Sequence, residues 1–160
     1  MDGSIDVTVA AVVEHDDRFL LVEEIVADRA VLNQPAGHVE PGEPVIDAVV
    51  RETLEETGYR FRPTALIGVY TWSRSAEHKS FLRLCFTGAA EPPDGPVELD
   101  TGIIAPRWLS RDELLARPDD IRSPLVLAAI DDYLAGARYP LDFFRHIGVD
   151  DGEPALRASA

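Results

Sequence analysis

Cysteine is nearly absent. The 160 residues hold one, Cys85, which excludes an internal disulfide framework and a metal site built on several thiolates. It lies within Phe81-Leu82-Arg83-Leu84-Cys85-Phe86, where it reads as a small buried hydrophobe rather than a catalytic thiol. Long apolar runs are missing too, and nothing approaches the roughly 20 residues of a membrane-spanning helix. The opening Met1-Asp2-Gly3-Ser4 lacks the basic start and apolar core of a secretory signal, so a cytoplasmic location with no membrane partner is expected. Basic residues are scarce: 15 Lys+Arg stand against 29 Asp+Glu, a formal net charge of −14. Such a field repels long polyanions and argues against a nucleic-acid partner or an anionic-membrane anchor. It would also repel a small phosphorylated ligand unless a cation intervened.

What is present suffices for a core. At 46% hydrophobic and 28% charged, the chain is expected to be one domain over residues 1–160, with a frayed polar tail at about 149–160. β-Branched residues at 8–13 and an apolar run at 18–23 flank the polar Glu14-His15-Asp16-Asp17 and predict a β-hairpin. A short strand is expected at 30–32. Residues 33–44 read as loop, because prolines and glycines punctuate them. Pro44 suits the first turn of a helix running to about Thr57, with Gly58 as its stop. Further strands are expected at 65–72, 80–87 and 103–109. Ser110 and Glu113 form a capping-box pattern ahead of another helix, and a last helix covers 123–134. Strands and helices in this order indicate an α/β domain with a mixed sheet.

The informative segment is the helix holding Arg51-Glu52-Thr53-Leu54-Glu55-Glu56. At 100° per residue, Glu52 and Glu56 lie on one line with Glu55 beside them. Like charges three and four apart destabilise a helix, so a solvated acidic face is one reading. Its phase argues for another. Val45, Ala48 and Val49 share the side of the three glutamates, a second stripe of Ile46, Val50, Thr53 and Leu54 also points inward, and the outward wedge holds Asp47 and Arg51. Carboxylates directed at the body of the protein must be neutralised, and oxygen ligands alone favour a hard divalent cation, Mg²⁺ with Mn²⁺ as a substitute. Gly37 permits an unusual backbone conformation where a carbonyl can reach the metal, and Glu43 lies just before the helix. Arg51 neighbours the cluster and can form an ion pair with one of its glutamates.

Written out, Gly37-x5-Glu43-x7-Arg51-Glu52-x2-Glu55-Glu56-x-Gly58-Tyr59 resembles the Nudix box of the Nudix hydrolases, with every charged and glycine position filled. The one departure is Thr53, where the family prefers an aliphatic residue. The resemblance implies an α/β/α sandwich with a mixed β-sheet, the box forming the active site. Outside the box, Val7-Thr8-Val9-Ala10, Val22-Glu23-Glu24, Asn33-Gln34-Pro35-Ala36-Gly37-His38, Phe81-Leu82-Arg83, Arg122-Ser123-Pro124-Leu125 and Arg138-Tyr139-Pro140-Leu141 look like a bacterial phosphatase branch of that family. Its implied substrates are nucleoside di- and triphosphates and the hydroxymethylpyrimidine diphosphate of thiamine biosynthesis, with release of phosphate. As scaffold, the Arg122 segment would serve as a helix cap and the Arg138 segment as a packing corner.

By the same resemblance, Glu52, Glu55 and Glu56 bind Mg²⁺, helped by the Gly37 carbonyl. The base is Glu52 or an acidic residue outside that trio, with Glu43, Glu77 and Asp100 as candidates. Arg18, Lys79 and Arg83 are cations that can contact phosphate, Arg83 foremost because it interrupts an apolar strand. Trp72 or Phe81 can stack on a ring. His38 can donate to a phosphate or simply order its loop. A non-catalytic sensor on the same fold is the main alternative, which the intact box carboxylates oppose. An isomerase would need a better-placed cysteine than Cys85, and hydrolysis of RNA 5′ ends would need a basic strip. Ser75-Ala76-Glu77 offers neither the Tyr nor the Pro of the dinucleoside-polyphosphate and ADP-ribose subfamilies.

Overall fold

The computed structural model describes residues 4–148; the tail expected at 149–160 lies outside the described residues. Among the described residues eight strands form two sheets. In the first, β1 (Ser4–Val12), β5 (Ala36–His38), β6 (Arg60–Arg74) and β7 (Lys79–Glu91) take the order β5-β1-β7-β6. β1 and β7 run parallel and the other pairs antiparallel, so the sheet is mixed. In the second, β3 (Arg18–Val26) pairs with β2 (Glu14–His15), β4 (Arg29–Asn33) and β8 (Ile103–Leu109), all antiparallel.

The expected hairpin between 8–13 and 18–23 does not form. β1 and β3 lie in different sheets, and only the two-residue β2 folds back on β3, where Asp16 and Asp17 turn with positive φ. Both runs are buried on two faces, so each needs neighbours of its own, and a nearly continuous apolar strand does not specify the one next to it in sequence. The expected loop at 33–44 contains β5, which pairs with β1 through Val9↔Gly37. β6 and β7 extend well past their predicted bounds as one long ladder, Arg60↔Glu91 to Arg74↔Lys79.

The helices cover the sheets on opposite sides. α1 (Val45–Thr57) packs Ala48 and Val49 against Val9, Ala11, Leu20, Leu84 and Phe86. α3 (Pro124–Leu134) packs Val126, Ala129 and Ile130 against Ala10, Val12, Phe19, Leu21 and Cys85, and α2 (Arg111–Leu115) adds Leu114 to that core. Alternate residues of β1, β3 and β7 thus feed two cores, the pattern of strands buried on both faces in an α/β/α sandwich. α2 begins with the predicted capping box, Ser110 and Glu113 bonding reciprocally.

α1 begins one residue later than expected. Pro44 is its N-cap, not part of its first turn, and Gly58 ends it at φ 76° with its N–H on the Leu54 carbonyl at 2.8 Å. Its phase is mostly as predicted: Ala48, Val49, Glu52, Thr53, Glu56 and Thr57 are buried. Leu54 instead faces outward, 47% exposed, because it follows Asp47 by seven residues and shares its wedge. Thr53, the departure from the box pattern, is fully buried and its hydroxyl donates to the Val49 carbonyl at 2.7 Å. The polar atom is therefore satisfied within the helix.

Candidate active site

The last turns of α1 abut the edge strand β5, and the approach is extreme at Gly37. A Cβ there would lie 2.0 Å from Glu52 Cδ and 2.2 Å from both carboxylate oxygens. Gly37 has no positive φ, so the expectation of an unusual backbone conformation is corrected. The glycine is needed because Glu52 occupies the space a side chain would take. Carboxylate oxygens, one each from Glu52, Glu55 and Asp100, lie within 4.8 Å of one another. Asp100, reached by a loop from β7, is fixed by its N–H, which donates to the Glu55 carbonyl at 3.0 Å. Three oxygen donors this close make a hard, all-oxygen set of the kind that suits a divalent metal, and the Arg51 guanidinium meets only two of them.

Glu56 lies deeper. It is 8% exposed, and its Oε2 accepts from the Ala36 N–H at 2.9 Å. Burial is the main force pushing its carboxyl up to about 8, and the charges of Glu24, Glu52 and Asp100 push the same way against the Ala36 hydrogen bond. Burial raises Glu52 as well, with Arg51 opposing.

Arg51 does not point outward as its helical phase suggested. Its guanidinium curls back over the glutamates: Nε reaches Glu43 Oε1 at 2.7 Å and Nη2 reaches Glu43 Oε2 at 3.0 Å. Nη1 bridges Glu52 at 2.9 Å and Glu55 at 3.0 Å, and Nη2 also donates to the His38 carbonyl at 3.0 Å. The ion pair expected with one glutamate is a network of four, since Nη1 also lies 4.0 Å from Glu40 Oε1. Arg51 holds the Glu43 carboxyl below its usual range, and the Glu40 N–H caps Glu43 at 3.0 Å. No single ammonium can span these partners. Arg51→Lys is therefore expected to cost about 1–3 kcal/mol, read as a fall of several degrees in the melting midpoint; an unchanged midpoint would show that the network adds no stability.

The remaining candidates separate. Register puts Phe81, Arg83 and Cys85 of β7 on the same sheet face as Thr8, His38, Tyr70 and Trp72. Trp72 and Phe81 stack at 5.6 Å, with Arg74 over the Trp72 ring. Arg83 is 9% exposed and its Nε donates to Thr8 Oγ1 at 3.3 Å, while its Nη1 has no partner among the described residues. Burial lowers its pKa. His38 and Lys79 each meet Asp6 Oδ2 at 3.4 Å near the end of this sheet. Glu77 sits in the β6–β7 turn, paired with Arg74 at 2.8 Å, and Arg18 pairs with Glu113 at 2.8 Å; neither joins the carboxylates. Cys85 is fully buried, its thiol pushed up to about 12 by burial, as the sequence suggested. The groove lined by Leu66, Val69, Tyr139 and Phe143 shares no residue with this cluster.

Three residues escaped the sequence reading. Glu24 carries no signal in its spacing, yet its charge acts on Glu56. Gln34 and Ser123 are buried with Oε1 and Oγ lacking partners among the described residues. The one available signal was Ser-Pro ahead of an apolar helix, which reads as a cap.

Residues 5–129 match the NUDIX domain family. The chain belongs to the NUDIX family. It is a Nudix phosphohydrolase, and the box lies where α1 meets β5. It is 40% identical over 136 residues to Phosphatase NudJ of Escherichia coli strain K12, an alignment covering 85% of this chain and 88% of that protein. NudJ of Shigella boydii serotype 4 matches to the same extent. Among solved structures, a NUDIX hydrolase from Nitrosomonas europaea superposes with a TM-score of 0.86 at 48% identity, covering 94% of this chain and 100% of that one. A MutT NUDIX hydrolase from Burkholderia pseudomallei, at 23% identity and a TM-score of 0.69 over 81% of this chain and 98% of its own, shares the fold. No helix among the described residues is long and apolar enough to cross a membrane.

Proposed function

We propose that this Nudix phosphohydrolase works in the cytoplasm as one domain. Its reaction is Mg²⁺-dependent cleavage of a phosphoanhydride bond in nucleoside di- and triphosphates or in a small diphosphate such as hydroxymethylpyrimidine diphosphate, releasing phosphate. The observation that carries this reading is the clustering of Glu52, Glu55 and Asp100 within 4.8 Å beside the Gly37 cradle. Glu52, Glu55 and Glu56 hold the cation, with the Gly37 carbonyl and Asp100 as further oxygen donors; Mn²⁺ fits the same set. Bound there, a divalent cation supplies charge neutralisation on phosphate oxygens and lowers the pKa of a water.

The rest falls to the chain's own side chains. Arg51 and Glu43 fix the glutamates, Arg51 through Glu52 and Glu55, and Glu43 by anchoring Arg51. The base is Glu52 or Asp100, the two candidates within the carboxylate cluster. Arg83 and Trp72 line the face available to substrate, and Lys79 and His38 stand at its rim. The relatives named Phosphatase NudJ support phosphate as the released product.

The test is release of phosphate and of pyrophosphate from a panel of nucleoside di- and triphosphates and hydroxymethylpyrimidine diphosphate, with Mg²⁺ or with a chelator. Turnover that stops on chelation is expected. Tight binding without turnover of any member would favour the sensor.

A further inference from the structure

Gln34 Oε1, Arg83 Nη1 and Ser123 Oγ are buried without a hydrogen-bond partner among the described residues, on side chains only 1%, 9% and 7% exposed. Buried polar atoms are ordinarily paired, and three bare ones in one place ask for a ligand. They do share a place. Gln34 Nε2 meets Cys85 Sγ at 4.0 Å, and Cys85 follows Arg83 by two residues on the same face of β7. A parallel bridge, Leu32↔Ile121, and the Arg122 N–H on the Leu32 carbonyl at 2.8 Å join the two segments, and Gln34 and Ser123 each follow that bridge by two residues. Ser123 stands at the N-cap of α3, where a serine hydroxyl normally accepts from the first turn. Here its side chain makes no capping bond.

The chemistry of the missing ligand follows from the three atoms and their charge. Arg83 offers a donor, Gln34 an acceptor and Ser123 either. Gln34 and Ser123 bring no charge, and a phosphate oxygen could accept from Arg83 but has no hydrogen to give Gln34 Oε1, whereas the edge of a neutral heterocycle carries an acceptor beside a donor. Beyond Arg83 on the same face, the stacked Trp72 and Phe81 add a π surface.

We propose that Gln34, Arg83 and Ser123 read the hydrogen-bonding edge of the substrate's heterocyclic ring, an acceptor on the ring meeting Arg83 Nη1 and a ring N–H or amino group meeting Gln34 Oε1. The assignment deepens the hydrolase reading and rests on it for the diphosphate end of the ligand. It makes these three residues determinants of specificity, separate from the metal-holding carboxylates.

Equilibrium binding separates the two. The probes are α,β-methylene diphosphates of uridine, cytidine, adenosine and guanosine, the matching analogue of hydroxymethylpyrimidine diphosphate, and a base-less ribose 5-(α,β-methylene)diphosphate, all with Mg²⁺. At least one ring-bearing analogue is expected to bind tenfold or more tighter than the base-less one. Ser123→Ala and Gln34→Leu should each reduce that advantage threefold or more, leaving base-less affinity within twofold. Ser123→Ala removes a hydroxyl that caps nothing, so it decides the matter if Gln34→Leu does not fold. The proposal is overturned if no ring-bearing analogue outbinds the base-less one. It also fails if the variants weaken both kinds alike, as phosphate contacts would, or leave the advantage intact. Ring-selective binding with no turnover of the hydrolysable counterparts would support the pocket and sink the hydrolase reading alone.

Discussion

Replacing Gly37 with alanine is expected to lower kcat/KM on the order of 10²-fold or more while moving the melting midpoint by only a few degrees. The added Cβ would stand 2.0 Å from Glu52 Cδ, and one of the two must yield. β5 is held to β1 through Thr8↔His38, Val9↔Gly37 and Ala10↔Ala36, whereas Glu52 ends in a carboxylate that can rotate toward solvent. The side chain therefore moves and the strand stays. Displacing one oxygen donor by an ångström or more removes the geometry that positions metal and water, and errors of that size cost about 10²-fold. Stability changes little, because Glu52 loses its 2.9 Å contact with Arg51 but escapes a burial that disfavours its charge. Steady-state kinetics and a thermal melt check the two halves. An alanine variant of full activity would show that Glu52 does not occupy this gap during turnover.

Gly37 also shows where the sequence was readable and where it was not. The spacing of box residues and the phase of α1 located the acidic cluster, since a helix fixes which side chains share a face over short distances. The phase failed for Arg51 because a long flexible side chain is not bound to the direction of its Cβ: from the helix flank its guanidinium reaches Glu43, Glu52 and Glu55. Asp100 was legible only as one acidic candidate among several, because a loop closing over more than forty residues carries no periodic signal. The division of β1 and β3 between two sheets was hidden for a related reason. A strand buried on both faces advertises burial but not its partner. The unpartnered Gln34, Arg83 and Ser123 come from the segment just after β4, from β7 and from the N-cap of α3, a juxtaposition set wholly by tertiary packing.

The strong net negative charge resolves into two populations on the same grounds. Among the described residues most carboxylates are exposed and repel long polyanions. Glu52 and Glu56 are buried, Glu52 against Arg51 at 2.9 Å and Glu56 against the Ala36 N–H, a partial offset that a divalent cation would complete.

Glu56→Gln tests that cost directly, and it should move activity and stability in opposite directions. The Glu56 carboxyl is raised from 4.5 to about 8 in the folded, metal-free chain. The folded state thus holds a proton that the unfolded chain releases near 4.5. Its stabilising contribution is complete below about pH 4.5 and is lost progressively as pH rises to about 8, by roughly 1.4 kcal/mol per unit. Glutamine is neutral and of the same shape, and can still accept from the Ala36 N–H. In metal-free buffer the variant should therefore melt at a temperature less dependent on pH across that window, and above wild type near pH 8. Because a cation needs the ionised carboxylate, Mg²⁺ should raise the wild-type melting temperature more at pH 8 than at pH 6, and the variant's hardly at either. Hydrolysis by the variant should fall on the order of 10²–10⁴-fold. A variant that melts lower than wild type at pH 8 without metal would mean that Glu56 stabilises the fold as an anion. Unaltered activity would remove Glu56 from the metal-holding set.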